Sequence, residues 1–261
     1  MKKFITLLTL LIHTIAIYAQ ESSPEMITDR PDQTESAAVV PSKSVQFETG
    51  FVLENDRTNT MELTSYTLNT TLVRIGILKT LELRLGLEYM RQIEKNLVND
   101  VTSIDQGFSP LSAGFKIKIA EEQGWMPAMA FLAGITLPAT GDKHYRPTYS
   151  VPSMRLAFAH TLTERLSLGY NLGAEWNSDE PIPSWFYSAA LGFALFPKIG
   201  VFIESYGFLP EEGKLSEHLV DAGITYLLTP NFQLDVSAGA GVNPGAYDSF
   251  FGAGFSLRLP N

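Results

Sequence analysis

From about Val45 to Leu259 apolar residues alternate with small or charged ones in two-residue steps, and turn-forming residues interrupt the alternation at intervals of about ten to fifteen positions. The last stretch is representative: Phe251, Ala253, Phe255, Leu257 and Leu259 share one parity, and Gly252, Gly254, Ser256 and Arg258 the other. Side chains alternate faces along a strand, so this period predicts antiparallel sheet with one apolar face. Twelve strands are expected, at 45–54, 63–75, 80–93, 111–120, 128–137, 149–160, 165–176, 184–195, 199–208, 218–228, 232–242 and 249–259. Tight connections such as 77–79, 161–164, 196–198 and 229–231 alternate with longer polar links such as 94–110, 138–148, 177–183 and 210–217.

Alternating short and long connections and an even strand number describe an outer-membrane barrel with both termini in the periplasm. The expected fold is therefore all-β, an antiparallel transmembrane barrel of about twelve strands over residues 45–261. The apolar parity faces lipid, as with Leu81, Leu83, Leu85, Leu87 and Tyr89, or Leu111, Ala113, Phe115, Ile117 and Ile119. Poor alternation around Leu72–Ile75 predicts a bulge there. Trp176, Trp185, Tyr149 and Tyr187 near the outer ends, and Trp125, Tyr226 and Phe232 near the periplasmic ends, fit two interfacial belts. A secreted soluble sandwich or lipocalin-like barrel would alternate in the same way. The strand number, the connection lengths and a polar face rich in Gly, Ser and Ala favour the membrane barrel.

Residues 1–19 read as a signal peptide, with Lys2 and Lys3 before an apolar stretch and Ala19 at the cleavage position. Residues 20–44 are polar, contain three prolines and lack a strand pattern, so they form a periplasmic arm. The formal net charge is −9, and losing a leader with two lysines leaves −11. An acidic chain without a basic tract is not a nucleic-acid binder. The absence of cysteine excludes disulfides, thiolate metal ligands, a cysteine nucleophile and a lipoprotein anchor.

By parity the lumen holds Glu48, Glu54, Glu82, Arg84, Glu88, Lys116, Lys118, Arg155, Glu175, Glu204, Asp221, Asp235 and Arg258, and eight of these thirteen are acidic. An open pore lined this way favours cations or neutral solutes over anions. Glu82 and Arg84 are expected beside Lys116 and Lys118 on a neighbouring strand, and Glu48 beside Arg258 across the seam, as cross-strand ion pairs. The strongest lining candidates are Glu82, Arg84, Lys116, Lys118, Arg155, Glu175, Glu204, Asp221 and Asp235.

The arm reads Thr28-Asp29-Arg30-Pro31-Asp32-Gln33-Thr34-Glu35-Ser36, followed by Pro41 and then Gln46-Phe47-Glu48-Thr49-Gly50-Phe51. At Asp29, Arg30, Pro31, Asp32, Thr34, Glu35, Pro41, Gln46, Glu48, Gly50 and Phe51 the chain resembles the meta-pathway phenol-degradation family of outer-membrane barrels. The resemblance implies a barrel that moves small, hydrophobic or aromatic compounds, and it carries over no catalytic residue. Asp29, Asp32 and Glu35 would meet Arg84, Lys116 or Lys118 if the arm folds inward as a plug; the alternative is a disordered tether.

The expected function is an outer-membrane channel for small solutes, passive or gated by the arm, needing no cofactor. Its partners would be outer-membrane lipid, the barrel-assembly machinery and a small solute. A closed structural or surface-interaction barrel is the alternative, and a lipid-active enzyme a distant third. His160 lies on the lipid-facing parity but lacks a serine two positions on, and His144 and His218 show no serine–histidine–acid arrangement. No metal site is expected.

Overall fold

The computed structural model describes residues 25–176, 182–210 and 215–259. The expected leader at 1–19, the start of the arm and parts of two expected external links, at 177–181 and 211–214, lie outside them. Thirteen strands follow in chain order. They are β1 (Val45–Arg57), β2 (Met61–Leu78), β3 (Leu81–Asn96), β4 (Val101–Phe108), β5 (Leu111–Ala120), β6 (Ala128–Leu137) and β7 (Pro152–Thr161). The remainder are β8 (Leu166–Trp176), β9 (Pro183–Phe196), β10 (Ile199–Pro210), β11 (Glu217–Thr229), β12 (Phe232–Gly241) and β13 (Ser249–Leu259).

Twelve of them close the wall. Each pairs antiparallel with its chain neighbours, and β1 meets β13 in a register running from Val45↔Leu259 to Asn55↔Ser249. The thirteenth corrects the expected link at 94–110. β4 pairs only with the outer part of β3, from Tyr89↔Phe108 to Asn96↔Val101, while β5 takes the inner part of the same edge, from Leu81↔Ile117 to Gly86↔Ser112. β4 and β5 are thus one long strand broken at Ser109-Pro110, where proline cannot donate to the ladder. Its polar outer half, Thr102, Ser103, Asp105 and Gln106, reads as loop because a strand outside the bilayer has no need of apolar alternation.

The burial pattern inverts that of a soluble protein. Leu85 is 50% exposed and Ile203 62%, whereas Glu82, Arg74, Lys116 and Asn171 are wholly buried. Backbone groups in hydrocarbon must be satisfied internally, and closure of the sheet does this without leaving an edge. Parity then sends every second side chain to lipid and the remainder to the lumen. Lumenal Phe202, Glu204 and Tyr206 alternate with outward Ile203 and Ser205, and lumenal Leu219, Asp221 and Gly223 with outward Val220, Ala222 and Ile224.

The expected bulge in β2 exists but sits earlier than Leu72–Ile75. Register slips against β3 between Thr67 and Asn69, and against β1 between Glu48 and Val52. The slip at Leu68 moves lumenal parity from Ser65 and Thr67 to Thr70, Leu72 and Arg74.

Connections at residues 79–80, 121–127, 162–165, 197–198 and 230–231 all lie at the end where the arm enters β1. The opposite end carries the β3–β4 ribbon and the 138–151 link with its two 3-10 turns, Pro138–Thr140 and Lys143–Tyr145. Tyr145 there donates its hydroxyl to the Asp105 carbonyl at 3.1 Å, and Asp142 accepts from the Phe108 amide at 2.7 Å.

Leu85→Arg places a charge within the apolar belt. It is expected to lower unfolding free energy in urea titrations from phospholipid vesicles by about 2–4 kcal/mol, the cost of a lipid-facing cation near the bilayer centre. The same change at Val98, in the β3–β4 turn, leaves it within about 0.5 kcal/mol.

Candidate functional site

Residues 25–44 do not hang in the periplasm; they fold back into the lumen. The geometry follows from the order of charges in Asp29-Arg30 and Glu35, because the two sides of the barrel differ in sign. One side carries Arg74 on β2, Arg84 on β3 and Lys116 on β5, with Glu48 and Glu82 among them. The other carries Glu204, Asp221 and Asp235 on β10, β11 and β12.

Asp29 is the centre of the basic side. Its carboxylate accepts from Lys116 Nζ at 2.8 and 2.9 Å, lies 2.6 Å from Arg84 Nη1 and 3.1 Å from Arg74 Nη1, and accepts the Ser36 amide and hydroxyl at 3.0 and 2.8 Å. Its own amide donates to Glu48 Oε2 at 2.9 Å. Glu35 takes both Nη2 bonds of Arg84, at 2.8 and 2.9 Å, and lies 3.4 Å from Lys116. Burial pushes the Asp29 carboxyl up, but Arg74, Lys116 and Arg84 outweigh it and hold it well below the usual carboxylate range. For Glu35 burial wins over its Arg84 contact, and the carboxyl is raised.

Arg30 points the other way, to Asp235 at 3.0 Å and the Thr70 hydroxyl at 2.8 Å. Room for its guanidinium comes from Gly50 and Gly254, which face each other across the β1–β13 seam. A Cβ on either would collide with Arg30 Nη2. Farther along, the Gln33 amide donates to Glu204 Oε2 at 2.8 Å, and the Thr34 hydroxyl contacts both Glu204 and Ser188. Glu35 and Asn171 exchange two bonds, amide to Oδ1 at 2.7 Å and Nδ2 to carbonyl at 3.0 Å. Near β1 the Val40 amide donates to Glu82 Oε2 at 2.7 Å, and Arg74 Nη2 to the Ala38 carbonyl at 3.1 Å.

The structure therefore joins Asp29 and Glu35 to Arg84 and Lys116, and Thr34 to Glu204. Other expected pairings differ. Lys118 meets neither arm nor ladder; it pairs with Glu121 in the following turn, because it lies at the end of β5 where the arm does not reach. Glu82 stands opposite Lys116 in register but bonds to Arg74 at 2.8 Å and Arg84 at 3.0 Å, leaving Lys116 to Asp29. Arg258 faces Gln46, not Glu48; it donates to Asn231 Oδ1 at 2.9 Å, and Glu48 takes Arg74 at 2.8 Å. Asp32 makes no ion pair among the described residues. Arg155 pairs with Glu175 in the outer half and lies 3.8 Å above the Phe186 ring.

Arg74, wholly buried and bonded to three carboxylates, is the residue that parity reading misses. Counting backwards from Gly76 would have kept it lumenal; counting forwards from Leu63 across the bulge loses it.

Outside the plug lies a cavity of about 610 Å³ open to the long-loop end. Arg30, Glu35 and Arg84 form its floor, Glu88, Arg155 and Glu175 its charged wall, and Leu72 and Leu132 a small apolar patch. The histidines build no catalytic arrangement among the described residues. His160 stacks on Tyr170, His218 bonds to the Tyr187 hydroxyl at 2.8 Å, and His144 lies 3.2 Å from Asp105.

Solved structures with a similar fold are outer-membrane barrels. An outer-membrane channel from Pseudomonas putida F1 superposes with a TM-score of 0.71 at 11% identity, covering 89% of this chain and 100% of that one. The transport unit of the autotransporter AIDA-I from Escherichia coli gives 0.56 at 8% identity, covering 92% and 94%. The translocator domain of the autotransporter NalP from Neisseria meningitidis gives 0.54 at 10%, covering 85% and 90%. No curated protein sequence matches. A family model matches residues 28–259, which run from the arm just before Asp29 to the last residue of β13. The chain belongs to the outer-membrane barrel family described as "Putative MetA-pathway of phenol degradation".

Proposed function

We propose that the protein is an outer-membrane channel for small solutes whose resting lumen is plugged by its own N-terminal arm. The observation that carries this reading is the charge-matched seating of Asp29, Arg30 and Glu35 on opposite sides of the lumen, beneath a vestibule large enough for a small molecule. The wall makes a through-path and the arm occupies it. Glu82, Arg84, Lys116, Arg155, Glu175, Glu204, Asp221 and Asp235 line that path once the arm leaves, and Lys118 stands at its periplasmic rim.

The vestibule has the size of an ordinary small-molecule pocket and combines fixed charges and hydroxyls with a small apolar patch at Leu72 and Leu132. It suits a small polar solute with at most a ring-sized apolar part, in keeping with the phenol that the family description names. Such a solute reaches Arg84 and Glu35, the groups that hold the arm, so entry and unplugging compete for the same contacts. The chain reaches the outer membrane after removal of a leader near Ala19, with membrane lipid and the barrel-assembly machinery as partners and without nucleic acid, cofactor or catalytic step. A closed barrel serving as a surface platform is the second reading, favoured by the ion pairs that fill the lumen.

Planar-bilayer recording distinguishes the two. The mature protein is expected to show low or intermittent conductance, and a form lacking residues 20–44 a large steady one that prefers cations. Silence from both folded proteins would leave the closed platform.

Asp29→Asn leaves three buried cations without their shared anion, a loss of about 3–5 kcal/mol in plug docking, and is expected to give conductance close to the arm-deleted form. Acid should act alike. The Asp29 carboxyl is lowered when docked, so its contribution is complete above about pH 4, the ordinary aspartate value, and disappears as pH falls through the docked value. Conductance of the intact protein therefore rises on acidification below about pH 4, and this rise is absent in Asp29→Asn.

A further inference from the structure

On the acidic side of the lumen one group lacks a partner. Asp221 on β11 stands opposite Glu204 on β10 in register, is only 7% exposed, and among the described residues neither carboxylate oxygen has a hydrogen-bond partner. Glu204 offers no free donor; its own oxygens accept from the Gln33 amide and the Thr34 hydroxyl of the arm. Asp32 of the arm faces the same place, half-buried and without an ion pair among the described residues.

Among the described residues no cation is bonded to the pair, and Arg155 acts on Glu204 only from farther off. Arg155 on β7 is engaged with Glu175 and the Gln33 carbonyl, and Arg30 with Asp235. Asp29 adds a further negative charge and is itself saturated by cations of the basic side. Tyr206 and Tyr247, the other titratable groups near Asp221, bond to each other at 2.8 Å. Among the described residues no three acidic or histidine side chains are spaced to hold a metal ion. Two adjacent carboxylates buried without a bonded cation cannot both ionise at ordinary cost, and the economical solution is one proton held between them.

We propose that Glu204 and Asp221 share a proton while the arm is docked, and that loss of this proton as pH rises drives the Pro31–Thr34 stretch off β10 and β11. The inference rests on the plug reading above. The shared proton turns Asp221 into a donor or acceptor for Glu204 and leaves the pair with one negative charge, which the Gln33 and Thr34 donors stabilise. Release of the proton to lumen water adds a second negative charge beside Asp32. Burial and the Glu204 charge already hold the Asp32 carboxyl well above the ordinary range, so it too docks best protonated. A group whose pKa is raised on docking favours the docked state at low pH and loses that contribution as pH climbs from its free value through its docked one. The acid response of Asp29 and the alkaline response of this pair thus bracket a pH window in which the plug is seated.

The test is the conductance of the full mature chain carrying Asp32→Asn, which removes that group's own response, in planar bilayers from about pH 5 to pH 9, beside the same chain with Asp221→Asn added and the form lacking residues 20–44. Release of one proton predicts a rise of up to about tenfold in open probability per pH unit. In Asp221→Asn, whose amide donates to Glu204 without any proton, that rise is expected to vanish and the channel to stay closed. A nitroxide on cysteine introduced at Gln33 gives an independent readout, gaining mobility with pH in the parent and remaining immobile in Asp221→Asn. A pH response that survives in Asp221→Asn, or one abolished by a calcium chelator, would overturn the shared proton. Flat behaviour in the intact protein, with the deletion form conducting, would overturn the proton latch and leave the plug standing. Equal conductance of intact and deleted forms at every pH would overturn the plug itself.

Discussion

The seat of Asp29 among Arg74, Arg84 and Lys116 is the contact around which the lumen is organised. Parity in a closed barrel sends polar residues inward, and on β2, β3 and β5 those residues are three cations against Glu48 and Glu82. The barrel alone is one negative charge short at that place. Cations removed from water need nearby anions to be tolerable, and the wall strands have none left to offer. Asp29 and Glu35 supply two from the arm. This is why a segment that belongs to neither the sheet nor a helix is nonetheless well placed: its position is set by charges on the wall.

The opposite side extends the argument. Arg30 follows Asp29 directly, so successive side chains of an extended chain point to opposite sides, and the lumen presents a basic side and an acidic side in matching order. Gly50 and Gly254 leave a slot at the seam that the Arg30 guanidinium fills. The pattern Asp-Arg-Pro-Asp is therefore a small recognition sequence read by the inside of its own barrel. Its second aspartate is the exception: Asp32 faces Glu204 and Asp221 where a cation would have been the simple choice.

Much of the barrel is legible in the sequence because lipid imposes a strict rule. A two-residue period that must hold for every membrane-crossing strand puts Leu83 and Leu85 outside and Glu82 and Arg84 inside without reference to tertiary contacts. The rule fails where lipid stops. β4 carries Thr102, Ser103 and Asp105 in polar succession, pairs only with the part of β3 beyond the belt, and looks like a loop. It fails again at Leu68, where one extra residue reverses parity and conceals Arg74. Partners are harder still. The placement of Lys116 inside was readable; its preference for Asp29 over the cross-strand Glu82 was not, because Glu82 is claimed by an arginine that the bulge had hidden. Lys118 has the right parity but sits one step too close to the rim.

An ionic plug is also physically suited to being removed. An apolar plug would gain free energy with every buried methylene and would leave only when the solvent changed. A buried ion-pair cluster contributes little net stability relative to an apolar filling of the same shape, because the Coulomb gain is largely cancelled by desolvation, yet it is severely penalised when one partner is missing or misplaced. The result is a segment with one well-defined seat and a modest docking free energy. Water or a polar solute that enters the vestibule can replace the partners of Arg84 and Glu35 one at a time, so the barrier to opening is divided into steps. The charges that make the arm specific are thus the ones that would keep the proposed gate reversible.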